Sequence, residues 1–197
     1  MLERRSALAA IYRVGRIGAG DGPPSLSVHE RLARDLVQVS GWPQSFPSQC
    51  RRLETMLDFP MPDDGLKAVS HGESTIFRVG PERLWLAGPW PGLDPASPGD
   101  EAVVTDIGHS RTVLRVAGPQ SRVLLNRGLP IDLDEAAFPA GSFAQSVIHH
   151  MAVLVHHLDG QDEAVFDVYV PRDFAVSFWQ WLTEAAEAFG CQIEEPG

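Results

Sequence analysis

Apolar residues recur along the chain with two spacings, and the spacing predicts the element. Leu36-Val37-Gln38-Val39 reads as a strand. Ser48 to Leu57 places Cys50, Leu53 and Leu57 on one side of a short helix, which Pro60 and Pro62 close. Ser74 to Val79 and Arg83 to Ala87 predict two strands joined by a turn at Gly80-Pro81-Glu82. Gly88 to Asp100 carries Pro89, Pro91, Pro95 and Pro98 and predicts a connector.

The second half repeats that order. Thr112 to Val116 is a strand, and Gly118-Pro119 opens a helix over Gln120 to Asn126, where proline at the first helical position forfeits no hydrogen bond. Ala144 to His149 and Ala152 to His157 are strands. Asp159-Gly160-Gln161-Asp162 turns the chain into a strand over Val165 to Val170. The longest helix covers Asp173 to Phe189, with Phe174, Phe178, Trp181, Leu182, Ala185 and Phe189 inward and Gly190 as its stop. At an offset of 77 to 78 positions, Val39-Ser40-Gly41 falls on Val116-Ala117-Gly118 and Val69-Ser70-His71 on Val147-Ile148-His149. The expected class is α+β: two ferredoxin-like split β-α-β halves, mostly antiparallel, sharing one sheet system. Residues 1–30, rich in glycine and ending near Pro23-Pro24, read as a flexible N-terminal tail; 31–100 form the first half and 101–197 the second, in one compact unit.

Composition narrows the function classes. At 197 residues with 44% hydrophobic content, the chain can bury a sizeable core. A net charge of -10 and a pI near 5.0 oppose a nucleic-acid footprint or an anionic membrane surface as partner. No segment approaches a membrane span, and the expected setting is cytoplasmic. Cys50 and Cys191 lack CxxC spacing, which argues against a thiolate zinc site or a disulfide framework.

The stretch TDIGHSRTVLRVAGP brings Asp106, His109 and Ser110 within five positions. A catalytic triad needs the hydroxyl and the carboxylate on opposite nitrogens of one imidazole. Neighbours in an extended chain point to opposite faces, so His109 and Ser110 diverge, and Asp106 is expected to accept local backbone N–H groups instead. GRIGAGDG lacks the GxGxxG spacing of a nucleotide loop. His149-His150 and His156-His157 flank Met151 to Val155; on one strand, His150 and His156 stand about 20 Å apart, too far for a single metal ion. The carboxylate pairs Asp63-Asp64, Asp132/Asp134-Glu135, Asp162-Glu163 and Glu194-Glu195 fall in turn-like or terminal contexts and read as solvated charge. No catalytic, cofactor-binding or metal-ligating residue is therefore assigned. Trp179 lies about 100° from the centre of the last helix's apolar stripe, beside the small residues Ala175 and Ala186. These three residues are the interface candidates; the alternative is that Trp179 covers the rim of its own core.

Several motifs resemble the gamma subunits of heterotetrameric sarcosine oxidases. They are Asp106, Ser110-Arg111, Gly118-Pro119, Gly128-Leu129-Pro130-Ile131-Asp132-Leu133, Ala144-Gln145, and Tyr169-Val170-Pro171-Arg172 followed by Phe174, Ser177, Phe178 and Trp179. Arg4-Arg5-Ser6-Ala7-Leu8 is also similar, and the likeness is strongest from about Val103 to Gly190. The resemblance implies a fold like the folate-binding region of the glycine-cleavage aminomethyltransferase. It implies a non-catalytic subunit with a structural, assembly role against a large alpha subunit, with beta and delta subunits alongside. The assembly oxidises sarcosine to glycine, passes the one-carbon unit to tetrahydrofolate or releases formaldehyde, and makes hydrogen peroxide. FAD, FMN, NAD, zinc and tetrahydrofolate would belong to the other subunits, with none in this chain. The competing reading is a free-standing folate-binding aminomethyltransferase-like protein, for which Asp167 with Tyr169, or Arg111 and Arg115, are the pocket candidates.

Overall fold

The computed structural model describes residues 5–18, 22–32, 35–90, 102–159 and 163–197. It divides the chain into two units, Arg34–Gly108 and a discontinuous one that joins Met1–Ala33 to His109–Gly197. Because each sheet takes a strand from outside its own sequence half, β1 to β12 and α1 to α3 are numbered here along the whole chain.

The larger unit begins with β1 (Gly15–Ile17) and β2 (Leu26–Arg31). The smaller unit follows with β3 (Leu36–Gly41), α1 (Phe46–Leu57), β4 (Val69–His71), β5 (Ser74–Gly80), β6 (Arg83–Ala87) and β7 (Ala102–Asp106). Its described strands form an antiparallel sheet in the order β4-β5-β6-β3-β7. Phe46 and Leu53 of α1 cluster with Val39, Ile76, Leu84 and Leu86 of the strands, and Cys50 and Leu57 pack at the margin. The helix starts two residues before the expected Ser48, since Pro47 is tolerated in a first turn where its missing N–H has no partner to lose.

The larger unit resumes with β8 (Arg111–Ala117), α2 (Ser121–Asn126), β9 (Phe143–Ile148), β10 (Met151–His157), β11 (Val165–Pro171), α3 (Ala175–Glu187) and β12 (Cys191–Ile193). Its described strands run β1-β12-β2-β8-β11-β10-β9, and of these contacts only β12 against β2 is parallel. Alternate residues such as Leu114, Val116, Val155, Phe166 and Val168 form one core with Leu124 and Leu125 of α2 and Phe178 and Leu182 of α3.

The internal repeat is a topological one. In β3-α1-β4-β5-β6 and in β8-α2-β9-β10-β11, the last three strands form a meander, and the strand before the helix pairs with the last of them. The α+β class and the split β-α-β order both hold. The sheets are two, not the single shared system expected from the sequence, because each is closed by a strand from outside its own repeat. β7 precedes the second repeat and pairs with β3 of the first; β2 precedes the first repeat and pairs with β8 of the second.

β2 also corrects the expectation of a flexible tail over 1–30. Leu26–Arg31 lies between β12 and β8, Gly15–Ile17 pairs with β12, and Leu8 is fully buried. The glycines mark bends in a docked segment: Gly18 has φ 85°, and a Cβ there would collide with the backbone of Glu187. Two further boundaries shift. His149 and His150 are not strand residues but the two-residue turn of the β9–β10 hairpin, both at positive φ (45° and 70°), a geometry usually given to Asn or Gly. The first turn of the expected last helix is a 3₁₀ turn at Arg172–Phe174, and Phe174 is exposed. The connector prolines from Pro91 and the turn residues 160–162 lie outside the described residues.

The inward face of α3 is Ala175, Phe178, Trp179, Leu182 and Ala186, a stripe rotated from the expected one. Trp179 is 4% exposed and stacks on Tyr12, with ring centroids 4.7 Å apart and planes at 24°. Ala175 and Ala186 are fully buried. All three interface candidates are therefore core residues, because the N-terminal segment covers the flank of α3 that the sequence appeared to leave open. Trp179→Ala is expected to lower unfolding stability by about 3 kcal/mol or more, as for other buried tryptophans truncated to alanine. A urea denaturation midpoint equal to that of the unaltered chain would contradict this placement.

Candidate functional site

The local chemistry around the opening of β8 is structural. Asp106 accepts the Gly108 N–H at 2.8 Å, the Asx turn expected of it. Arg111 donates to the carbonyl and the hydroxyl of Ser110, at 3.0 and 3.1 Å. His109 and Ser110 sit in a 3₁₀ turn, Gly108–Ser110, rather than in an extended segment.

The register of the larger sheet builds a polar row. His156 lies opposite Asp167, Asp167 opposite Arg115, and Arg115 opposite His29. Directly opposed residues share a face, so these side chains form one line across β10, β11, β8 and β2. Arg115 grips Asp167 with two bonds, Nε to Oδ1 at 2.7 Å and Nη2 to Oδ2 at 2.8 Å. His29 Nδ1 meets the Glu194 carboxylate at 3.1 Å. Burial, opposed by the nearby Asp167 carboxylate, pulls His156 down to about 4, so its ring is neutral at pH 7.

A second cluster ties down the loop after α2. Arg122 donates to the Leu133 and Phe138 carbonyls and to the Glu135 carboxylate, and its guanidinium lies over the Phe166 ring. His157 stacks on the same ring at 4.8 Å and bonds the Phe138 carbonyl through Nδ1 at 3.1 Å. A carbonyl only accepts, so Nδ1 carries the proton. Asp132 and Asp134 accept the amides of Asp134 and Ala136, which makes them turn builders rather than only solvated charge.

A third cluster was not anticipated from the sequence. Glu30, on the core side of β2 with Leu26 and Val28, is 5% exposed, and Ser6 Oγ lies 2.8 and 2.6 Å from its two oxygens. Tyr12 Oη donates to the Glu194 carbonyl at 2.8 Å and accepts the Glu30 N–H at 3.2 Å. Burial raises the Glu30 carboxyl and pushes the Tyr12 phenol up to about 12. The signal was the alternation in Leu26-Ser27-Val28-His29-Glu30, masked by the glycines and prolines before it.

These groups are satisfied mainly by one another, which suits building more than proton transfer. Of the four folate-pocket candidates, Asp167 has both oxygens bonded by Arg115, Tyr169 is buried, and Arg111 bonds Ser110. His149 and His150 sit at a hairpin tip, with the His149 ring tilted against Trp181, while His156 and His157 lie in β10. Among the described residues, no group of three or more His, Cys, Asp or Glu is placed to hold a metal ion. Among the same residues, no helix is long and apolar enough to cross a membrane.

The sequence pattern of the GCVT N-terminal domain matches residues 85–193, more than half of the 197-residue chain. The chain belongs to the GCVT N-terminal domain family. Two solved structures share the family's folate-binding-like α+β fold. One is a chain of the heterotetrameric sarcosine oxidase from Corynebacterium sp. U-96, in complex with pyrrole 2-carboxylate; it is 20% identical, with a TM-score of 0.75, over 93% of this chain and 94% of that one. The other is glycine cleavage system aminomethyltransferase T from Bartonella henselae, 15% identical, with a TM-score of 0.58, over 88% of this chain and 48% of that one. The GCVT-family chain thus spans about half the length of the aminomethyltransferase. Comparison with curated protein sequences gives no match.

The buried histidines set an acid limit on this fold. His156 is held below its ordinary value of 6.5, so the unfolded chain binds a proton that the folded chain refuses between pH 6.5 and about 4. Stability is present above that window and falls as pH drops through it, by at most about 1.4 kcal/mol per pH unit for one group. His156→Gln is expected to flatten the fall without abolishing it, because burial and Arg122 also lower His157. Denaturant midpoints measured across that window test it, and parallel profiles for the two proteins would refute it.

Proposed function

We propose that the chain is the gamma subunit of a heterotetrameric sarcosine oxidase and serves as a non-catalytic assembly element against the large alpha subunit. The observation that carries this reading is reciprocal coverage: this chain and the Corynebacterium oxidase chain match over 93% and 94% of their lengths. The aminomethyltransferase has as much again beyond the matched region. The internal closure of the Arg115–Asp167 pair supports a building role. On this reading the beta and delta subunits complete the assembly. FAD, FMN, NAD and zinc reside on other subunits, tetrahydrofolate is handled by alpha, and the complex works in the cytoplasm.

Co-expression with alpha, beta and delta subunits from the same source tests the proposal. The expected result is stoichiometric co-purification and sarcosine-dependent peroxide formation by the complex, with a colourless and inactive isolated chain. A chain that stays unbound in co-expression would overturn the subunit reading. Binding of tetrahydrofolate by the isolated chain, with one-carbon transfer to it, would favour the aminomethyltransferase-like alternative instead.

A further inference from the structure

Residues 5–17 hold to the larger unit at a few defined points. Ser6 meets Glu30, Tyr12 bridges Glu194 and Glu30, and Arg172 donates to the Arg5 carbonyl at 2.6 Å. Leu8 is buried, and the Tyr12 ring lies on Trp179. The segment has one regular piece, β1, and the amides of Ile11 and Tyr12 both bond the Leu8 carbonyl at 2.8 Å.

The Ser6–Glu30 contact depends on a proton. A serine hydroxyl has one proton to donate, yet Ser6 Oγ is within bonding distance of both Glu30 oxygens. A carboxylate only accepts, so both contacts must then share that one proton. A neutral carboxyl can use both, accepting through one oxygen and donating through the other. The Ser6 hydrogen bond and, less strongly, the positive charge of Arg172 favour ionised Glu30, and burial outweighs both. From the segment itself comes Tyr12, and from the C-terminal residues Glu194 and Glu195, whose charges act on Tyr12. His29 and Arg31 flank Glu30 on β2 and, by alternation, face the other side of the sheet.

We propose that residues 5–17 form a strap latched on Glu30, closed when its carboxyl is protonated and loosened as it ionises, so that rising pH uncovers the Tyr12–Trp179 stack. The sign follows from linkage. The buried carboxyl holds its proton above its ordinary value of 4.5, so closing the strap takes up a proton. Closure is strongest below the free value and weakens as pH rises through the latched one.

Hydrogen exchange of the full chain, read by mass spectrometry from about pH 4.5 to about pH 8 and corrected for the intrinsic rate, tests the strap. Peptides within 5–17 should lose protection as pH rises, by up to about tenfold per pH unit, while β8 and β11 keep theirs. Glu30→Gln should hold protection across the range, since its amide both donates and accepts. His29→Gln should keep the slope of the unaltered chain. A Glu30→Gln profile parallel to the unaltered one overturns the proposal, as does a slope lost in His29→Gln instead. If Glu30→Gln does not fold, Ser6→Ala must lose protection at the acid end, and an unchanged acid end there overturns it equally.

Discussion

The pairing of β2 with β8, and of β7 with β3, governs how this chain completes its sheets. A three-stranded meander closed by the strand before its helix still has an open edge at that strand, on β8 in one repeat and β3 in the other. An open edge exposes a row of unpaired N–H and C=O groups and invites association. Here each edge is filled by the strand that precedes the other repeat. The chain therefore crosses between the units at residues 33/34 and again at 108/109. Neither sequence half carries all the strands of its own sheet.

That crossing arranges the rest of the larger unit. With β2 beside β8, β12 gains a parallel neighbour through Cys191, Gln192 and Ile193, and β1 then pairs on β12. Pairing of β1 on β12 brings the segment before it to α3, where Tyr12 covers Trp179. Gly118 takes φ 110° at the end of β8, and a Cβ there would stand 2.5 Å from the Ser25 carbonyl, so β2 enters against the backbone itself. Core, strap and termini follow from one strand insertion.

The parts of this fold that were legible in the sequence are those built from local periodicity. Seven of the strands and all three helices follow apolar spacing closely enough to be placed, and the offset of Val39-Ser40-Gly41 from Val116-Ala117-Gly118 corresponds to a true equivalence of β3 and β8. What was not legible depends on distant partners. β1, β4 and β12 have three residues each, too few for a period to register, and β7 follows directly on the proline-rich connector. β2 has clear alternation, but its nearest neighbours in space, β8 and β12, are far along the chain. Trp179 was misplaced for the same reason. A helical wheel assigns faces from one helix alone, and the group that buries this ring is Tyr12, in a segment read as a tail. Among candidate site residues, Asp106 was legible because an Asx turn is local, whereas the closure of Asp167 by Arg115 required the register of β8 against β11.

The polar content of the larger unit bears on its role. Arg115 with Asp167, Arg122 with Glu135 and His29 with Glu194 each join groups from different elements, separated by 52, 13 and 165 positions. Such pairs contribute little net stability when exposed, and when buried they are expensive to break rather than strongly favourable to form. Their effect is to fix register. A one-residue slip of β11 against β8 would put Asp167 on the wrong face and leave Arg115 without its carboxylate, while turning Phe166 and Val168 out of their core. Here the charges of β8 and β11 hold two strands in one alignment, through a pair that forms only when Arg115 and Asp167 stand directly opposite.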